Sequence, residues 1–260
     1  MTGLGGGKAC VLHKRHMASP ADLKQLAPTD KLRGGIVFAP VPSVFFAVRN
    51  ADGINGVTVD LVAALAAELK IPFELEIFPN SGEATEAVAS GTCDVAFMPQ
   101  DAERAKKVDF GPAYYFIEST YLVPAGSRIQ SIEEVNRPGV TIVAISNTTT
   151  MRSARRTAPN ASVEEVPSVD EMTERARTGK GDAFALSHDS FAGLLPKLPG
   201  ARVLAGNFQQ TGIGIAVPKN RPAALAIATD FLERAKKSGV VRRALDRAGF
   251  PDAQVAPPVA

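Results

Sequence analysis

From residue 31 onward, short apolar runs alternate with segments whose apolar residues recur at helical spacing. That alternation narrows the folds open to the chain more than any other feature. Strands read as unbroken apolar runs when helices cover both faces of a largely parallel sheet, so the expected fold class is α/β. Residues 35–38 read as a first strand, followed by a loop with Pro40 and Pro42 and a hairpin turn at Ala51-Asp52-Gly53. Over 59–69, Val59, Leu61, Val62, Leu65, Ala66 and Leu69 fall on one helix face. A strand at 73–78, a short helix at 83–90 capped by Ser81 and stopped by Gly91, and a strand at 95–98 complete this set.

The theme then repeats. Ser131 and Glu134 have capping-box spacing for a short helix that Pro138 stops, and 140–145 is β-branched enough for a strand buried on both faces. It opens into Ser146-Asn147-Thr148-Thr149-Thr150 and a helix carrying Arg152, Arg155 and Arg156. Ser168 and Glu171 repeat the capping spacing before a helix ending near Gly179, and strands are expected at 183–186 and 212–217. Pro222 suits the first turn of a helix running to about Lys237, and a last helix ends at Gly249. Two such sets imply two lobes. Residues 116–123 and 210–217 are placed to cross between them as a two-strand hinge, letting the lobes close on a ligand. The expected division is 20–120 with 214–250 as lobe 1, 121–213 as lobe 2, and 251–260 as a loose tail.

Composition supplies the exclusions. With 45% hydrophobic and 22% charged residues in 260, the chain can bury one large core or two modest ones, and no apolar run is long enough to span a bilayer. Formal charge is +2, but residues 1–19 hold Lys8, Lys14 and Arg15 and no acid, so the remainder is close to neutral and offers no nucleic-acid footprint. Residues 1–19 read as vector-derived sequence in place of a native leader, since they lack the apolar stretch of a signal peptide. A phosphate loop at Gly3 to Lys8 is set aside because Ala9 stands where Ser or Thr is needed. Cys93, in an apolar run, reads as a small buried hydrophobe, and Cys10 with three histidines gives no metal set; no cofactor is expected.

Several runs together carry a resemblance. They are Gly56-Val57-Thr58-Val59-Asp60-Leu61, Gly91-Thr92-Cys93-Asp94-Val95-Ala96, and Glu103-Arg104-Ala105-Lys106-Lys107-Val108-Asp109-Phe110 with Tyr114-Tyr115. The likeness continues through 139–150, Gly181-Asp182-Ala183 and Gly214-Ile215-Ala216-Val217. In order and spacing they resemble family 3 of the bacterial periplasmic solute-binding proteins, the polar amino acid family that feeds ABC importers. The resemblance implies a two-lobed type II binding-protein fold, export to the periplasm, no catalysis, and a monomer delivering a small polar ligand to a permease in the inner membrane. It also implies that Arg104 clamps a ligand carboxylate, a task that suits a planar five-donor fork. Pairing of Arg104 with Asp101 or Asp109 is the bland alternative. Asn147, Thr148 and Thr149 match the turn that offers hydroxyls and N–H groups to the same carboxylate. Phe45 or Phe46 falls near an aromatic wall, one of the two being plain core, and Ser81 is as readily a helix cap as a ligand contact.

Two departures from the family pattern bear on the ligand. Pro99 stands where a Ser or Thr acceptor is usual, and Ser187 stands where the family has an Asp for the ligand ammonium, with Asp189 displaced by two. The carboxylate clamp is thus expected to survive and the ammonium site to be damaged, so the ligand need not be a standard α-amino acid. Ser187, His188 and Gln100 are candidates for replacing lost contacts, although a partly exposed imidazole and a surface amide are the plainer readings of the last two. Two alternatives share the fold: a dehydratase of the prephenate or arogenate type, with Glu118 or Asp189 as general acid, and an excised sensory domain. The arginines at 152, 155 and 156 suit either a permease contact or a solvated helix face.

Overall fold

Residues 19–51 and 53–259 are described by a computed structural model. Ser19 opens it as the N-cap of α1 (Pro20–Leu26), forming a capping box with Asp22. Expectations placed on residues 1–18, Cys10 and the glycine-rich start among them, lie outside the described residues. Strand β1 (Leu32–Val37) follows, then the hairpin β2 (Val48–Asn50) and β3 (Gly53–Asn55). Helix α2 (Val57–Leu69) buries Leu61, Val62, Leu65 and Ala66 as its periodicity requires. Strand β4 (Phe73–Phe78), helix α3 (Ser81–Ala89) and strand β5 (Val95–Pro99) come next. The short α4 (Ala102–Ala105) leads into β6 (Val108–Val123).

The second half holds β7 (Thr141–Ile145), α5 (Thr149–Thr157), β8 (Ser162–Val166), α6 (Val169–Arg177) and β9 (Ala183–Ser187). It continues with α7 (His188–Leu194), β10 (Arg202–Val203) and β11 (Gln209–Pro218), and closes with α8 (Pro222–Lys237) and α9 (Val240–Arg247). Nine strands form one sheet in the order β4-β1-β5-β11-β6-β9-β7-β8, with β10 on β6. Parallel triplets β4-β1-β5 and β9-β7-β8 flank a central antiparallel pair. Strands β5 and β9 are buried along their whole length, as expected of parallel strands covered on both faces.

That central pair is the two-strand hinge, and both strands run further than the sequence suggests. β6 has 16 residues, about 50 Å of extended chain, so its start pairs with β11 and its end with β9 and β10. The β11–β6 register slips between Ile213 and Gly214 and again between Gly214 and Ala216, opposite Gly111-Pro112, where a missing N–H favours a bulge. Gln100 stitches this irregular stretch: its side-chain Nε2 donates to the Gly111 carbonyl at 2.9 Å and its backbone N to Gly212 at 2.9 Å. A Cβ at Gly214 would fall 2.3 Å from Gln100 Nε2, so the glycine is what admits the amide.

Four expectations need correction. Asn80, not Ser81, caps α3 through its Oδ1, because the helix starts two residues earlier than its apolar periodicity suggests. Ser131 and Glu134 do not form a capping box; a 3-10 turn at Glu133–Val135 stands there, and Glu134 accepts from the Gln130 N–H instead. Helices α1 and α7 and strands β8 and β10 arise where no strong period was visible. The end of the chain is clasped rather than loose: the Ala256 N–H donates to Tyr114 at 2.8 Å, and buried Lys236 donates to Pro257 at 2.9 Å.

Candidate functional site

The two parallel triplets leave a cavity between them. One wall comes from Phe45, Phe46, Pro79, Asn80, Ser81, Pro99 and Ile117; the other from Ile145, Thr148, Thr149, Thr150, Ala185, Leu186 and Ser187. Helix starts dominate its polar part. Asn80 takes the cap of α3, so the Ser81 side chain, which lines the cavity, is not needed there. On the other side Thr148 caps α5, its Oγ1 accepting from Met151 N and donating to the Ile145 carbonyl at 2.7 Å. Thr150 pairs with Ser119 at 3.1 Å, while the buried Thr149 hydroxyl has no partner. Two nine-residue helices thus aim their N-terminal dipole ends at one space.

Arg104 lies behind this wall, 3% exposed. Its Nη1 donates to the Pro99 carbonyl at 2.7 Å, and its Nη2 to Ser81 Oγ at 2.6 Å and to the Asn147 carbonyl at 3.0 Å. The last bond crosses the cleft, so the guanidinium and the threonine turn do meet. Nε is buried without a partner. Arg104 has no side-chain hydrogen bond to either acid suggested by sequence: Asp101 accepts its backbone N–H at 2.8 Å, and Asp109 takes Lys219 at 2.9 Å. Burial first, then the nearby Arg152 guanidinium, pull Arg104 down to about 9, with Asp101 opposing.

Other contacts tie the two sides together. Asp101 Oδ2 accepts from Arg152 Nε at 2.7 Å, and Asn80 Nδ2 donates to the Pro167 carbonyl at 3.1 Å. Gly82 backs onto Asn147, where a Cβ would fall 2.4 Å from the Asn147 Cβ. Asn147 itself sits at φ +57°, a left-handed conformation that asparagine tolerates. Asp189 Oδ2 accepts the Val44 N–H at 2.9 Å, the Ser187 hydroxyl pairs with Ser190 at 2.8 Å, and the nearby Ser187 and Ser43 hydroxyls favour the Asp189 carboxylate. Ser43 Oγ in turn accepts the N–H groups of Phe45 and Phe46, and the Tyr114 hydroxyl donates to the Val44 carbonyl. The loop under the two rings is therefore fixed from three directions.

Of the residues named from sequence, Phe45, Phe46, Ser81, Pro99, Thr148, Thr149 and Ser187 line the cavity together. Both phenylalanines do so, with ring centroids 5.2 Å apart, rather than one being plain core. Asn147 contributes its carbonyl to Arg104, and Arg104 stands one layer back. Two placements are corrections. His188 does not line the cavity; it opens α7 with its Nε2 paired with the Gly206 carbonyl at 2.8 Å. Gln100 is held in the hinge by the bulge described above. Sequence reasoning missed Asn80 and Thr150 as well as Pro79, Ile117, Ile145, Ala185 and Leu186. The spacing from Asn80 to Glu83 was the available signal for the first; the apolar residues look like any core position. Neither general-acid candidate lines the cavity: exposed Glu118 accepts from Gln210, and Asp189 is engaged with Val44. Burial pushes the Cys93 thiol up to about 12, as suits an inert hydrophobe.

Two lobes joined by a pair of crossing strands, with a cavity held between opposed helix starts, define a hinged ligand-binding protein. The sequence model for "Bacterial extracellular solute-binding proteins, family 3" matches residues 39–249, and the chain belongs to that family. It is 26% identical over 200 residues to the ABC transporter glutamine-binding protein GlnH of Bacillus subtilis, covering 75% of this chain and 73% of that one. A probable histidine-binding protein of Neisseria gonorrhoeae is 26% identical over 217 residues, 78% of this chain and 76% of its own. Among solved structures, an ancestral amino acid-binding protein described as a precursor of cyclohexadienyl dehydratase superposes with a TM-score of 0.74 at 25% identity, over 86% of this chain and 98% of that one. The L-cysteine solute receptor of Neisseria gonorrhoeae reaches 0.79 at 21% identity, over 90% of this chain and 98% of its own, and speaks for the fold. No helix among the described residues is long and apolar enough to cross a membrane.

Proposed function

We propose that the chain is the periplasmic substrate-binding component of an ABC importer, a monomer that captures a small carboxylate-bearing ligand and hands it to an inner-membrane permease. The proposed lobes are 20–120 with 214–250 and 121–213, closing about β6 and β11. The observation that carries the reading is the meeting of Arg104, Ser81 and the 147–150 turn at one cavity across the cleft. An anion placed there gains from both helix dipoles and from a buried cation, contacts that exist together only when the lobes are closed. Closure then reports ligand capture to a permease. The glutamine- and histidine-binding relatives support a small-metabolite cargo; the dehydratase alternative lacks a carboxylic acid in the cavity wall.

A thermal-shift screen of amino acids, their deaminated acids and their amides, followed by calorimetry on the hits, tests this. A ligand at 100 times its Kd adds about 2.7 kcal/mol to the folded state, a shift of several degrees. A screen without a single shift at millimolar concentration counts against capture at this cavity.

A further inference from the structure

We infer that the cavity selects an anion without an ammonium group: a monocarboxylate with an apolar body. This rests on the proposed capture function and narrows its ligand. Every described side chain lining the space is uncharged, and eight of the fourteen are apolar, Phe45, Phe46, Ile117, Ile145 and Leu186 chief among them. The electrostatics there has one sign. Arg104 is buried against the wall, α3 and α5 point their N-termini inward, and Thr149 presents a buried hydroxyl with no other partner.

The acids beside the cleft are committed elsewhere: Glu83 accepts from the Asn80 side chain at 3.0 Å. Asp189 accepts the Val44 N–H, and Asp101 serves the Arg104 N–H and the Arg152 guanidinium. An ammonium enclosed in this space would lose its water, meet no carboxylate and face Arg104. A carboxylate with a hydrocarbon body has its charge answered at the helix starts and its remainder covered by the two phenyl rings and the aliphatic residues opposite.

Calorimetry with matched probes decides it: 4-methylpentanoate against L-leucine, 3-phenylpropanoate against L-phenylalanine, and the corresponding primary amides. The acid is expected to bind at least ~100-fold tighter than the amino acid of the same skeleton, with the amide also weaker than the acid. An amino acid that matches or exceeds its deaminated partner overturns the inference and leaves ligand capture standing. Failure of every acid, amino acid and amide to bind overturns both. Asp189→Asn separates a hidden ammonium partner from a lobe contact. The inference expects the acid-to-amino-acid ratio to stay within threefold; a selective loss of amino acid binding in that variant would overturn it.

Discussion

The cleft has a cationic corner at Arg104 and an anionic corner at Asp189, and each forms a hydrogen bond from one lobe to the other. What the two charges face is different. Arg104 spends its donors on groups that themselves belong to the cavity wall, the Ser81 hydroxyl and the turn at Asn147, so its charge is felt in the cavity. Asp189 is surrounded by donors from its own loop and from the 43–46 segment, so its charge is answered before it reaches the cavity. A cation used for capture and an anion used for closure follow from this division, and substitutions at the two should have different signatures.

The largest effect is expected at Arg104. Arg104→Ala removes the donors to Pro99, Ser81 and Asn147 and the positive charge with them, and affinity for a carboxylate ligand should fall by ~2–5 kcal/mol. Stability should change far less, since losing a buried, depressed guanidinium offsets part of the lost hydrogen bonding. Calorimetry and urea melts on the same sample read both quantities. Equal losses of affinity and stability, or affinity left intact, would erase the difference between the corners.

Asp189 should show the reverse pattern. Asp189→Ala strands the Val44 N–H and should cost ~1–3 kcal/mol of stability. The charge itself is a separate matter. Burial raises the Asp189 carboxyl, and hydrogen bonds from Ser187, the Val44 N–H and Ser43 only partly oppose it. A carboxyl raised in the folded state contributes its stabilisation fully below its unfolded value and loses it as pH climbs through the folded one. Wild type should therefore be most favoured over Asp189→Asn near pH 4 and lose ground toward pH 7, with the nearby Tyr114 and Tyr115 hydroxyls, both raised, neutral throughout that range and His188 common to both proteins. Melting temperatures of the pair across that interval test the sign; a gap that widens toward neutrality contradicts it.

What could be read from the chain divides along similar lines. Periodicity carried α2, α8 and the buried strands, because one element's apolar face is written in its own residues. The opposed threonine turn and Arg104 were legible through the family motifs. The Asn80 cap was misplaced by one residue because Asn80 and Ser81 are both good caps and only the backbone decides between them. Gln100 and His188 failed for another reason: a side chain's direction at the end of a strand depends on bulges and loop paths set by distant segments, here the β11–β6 slip and Gly206. Strand β8 escaped notice because as an edge strand it buries only one residue fully and carries Glu164 and Glu165.

The smallest expected effects lie at the Asp101–Arg152 pair, which spans the cleft beside the cationic corner. Arg152→Gln loses a partly buried ion pair, a cost of ~1 kcal/mol, but it also removes the second-largest influence that depresses Arg104. The two changes oppose each other, and net stability should stay within ~0.5 kcal/mol of wild type. Asp101→Asn keeps a side-chain cap for α4 yet leaves Arg104 and Arg152 facing each other without an anion. It should be the more damaging of the two by ~1 kcal/mol, and by more in low salt than in high. Denaturant melts of both variants at two ionic strengths give the ordering. If Arg152→Gln proves the worse, the pair acts as a simple bridge and Arg104 does not feel its neighbour's charge.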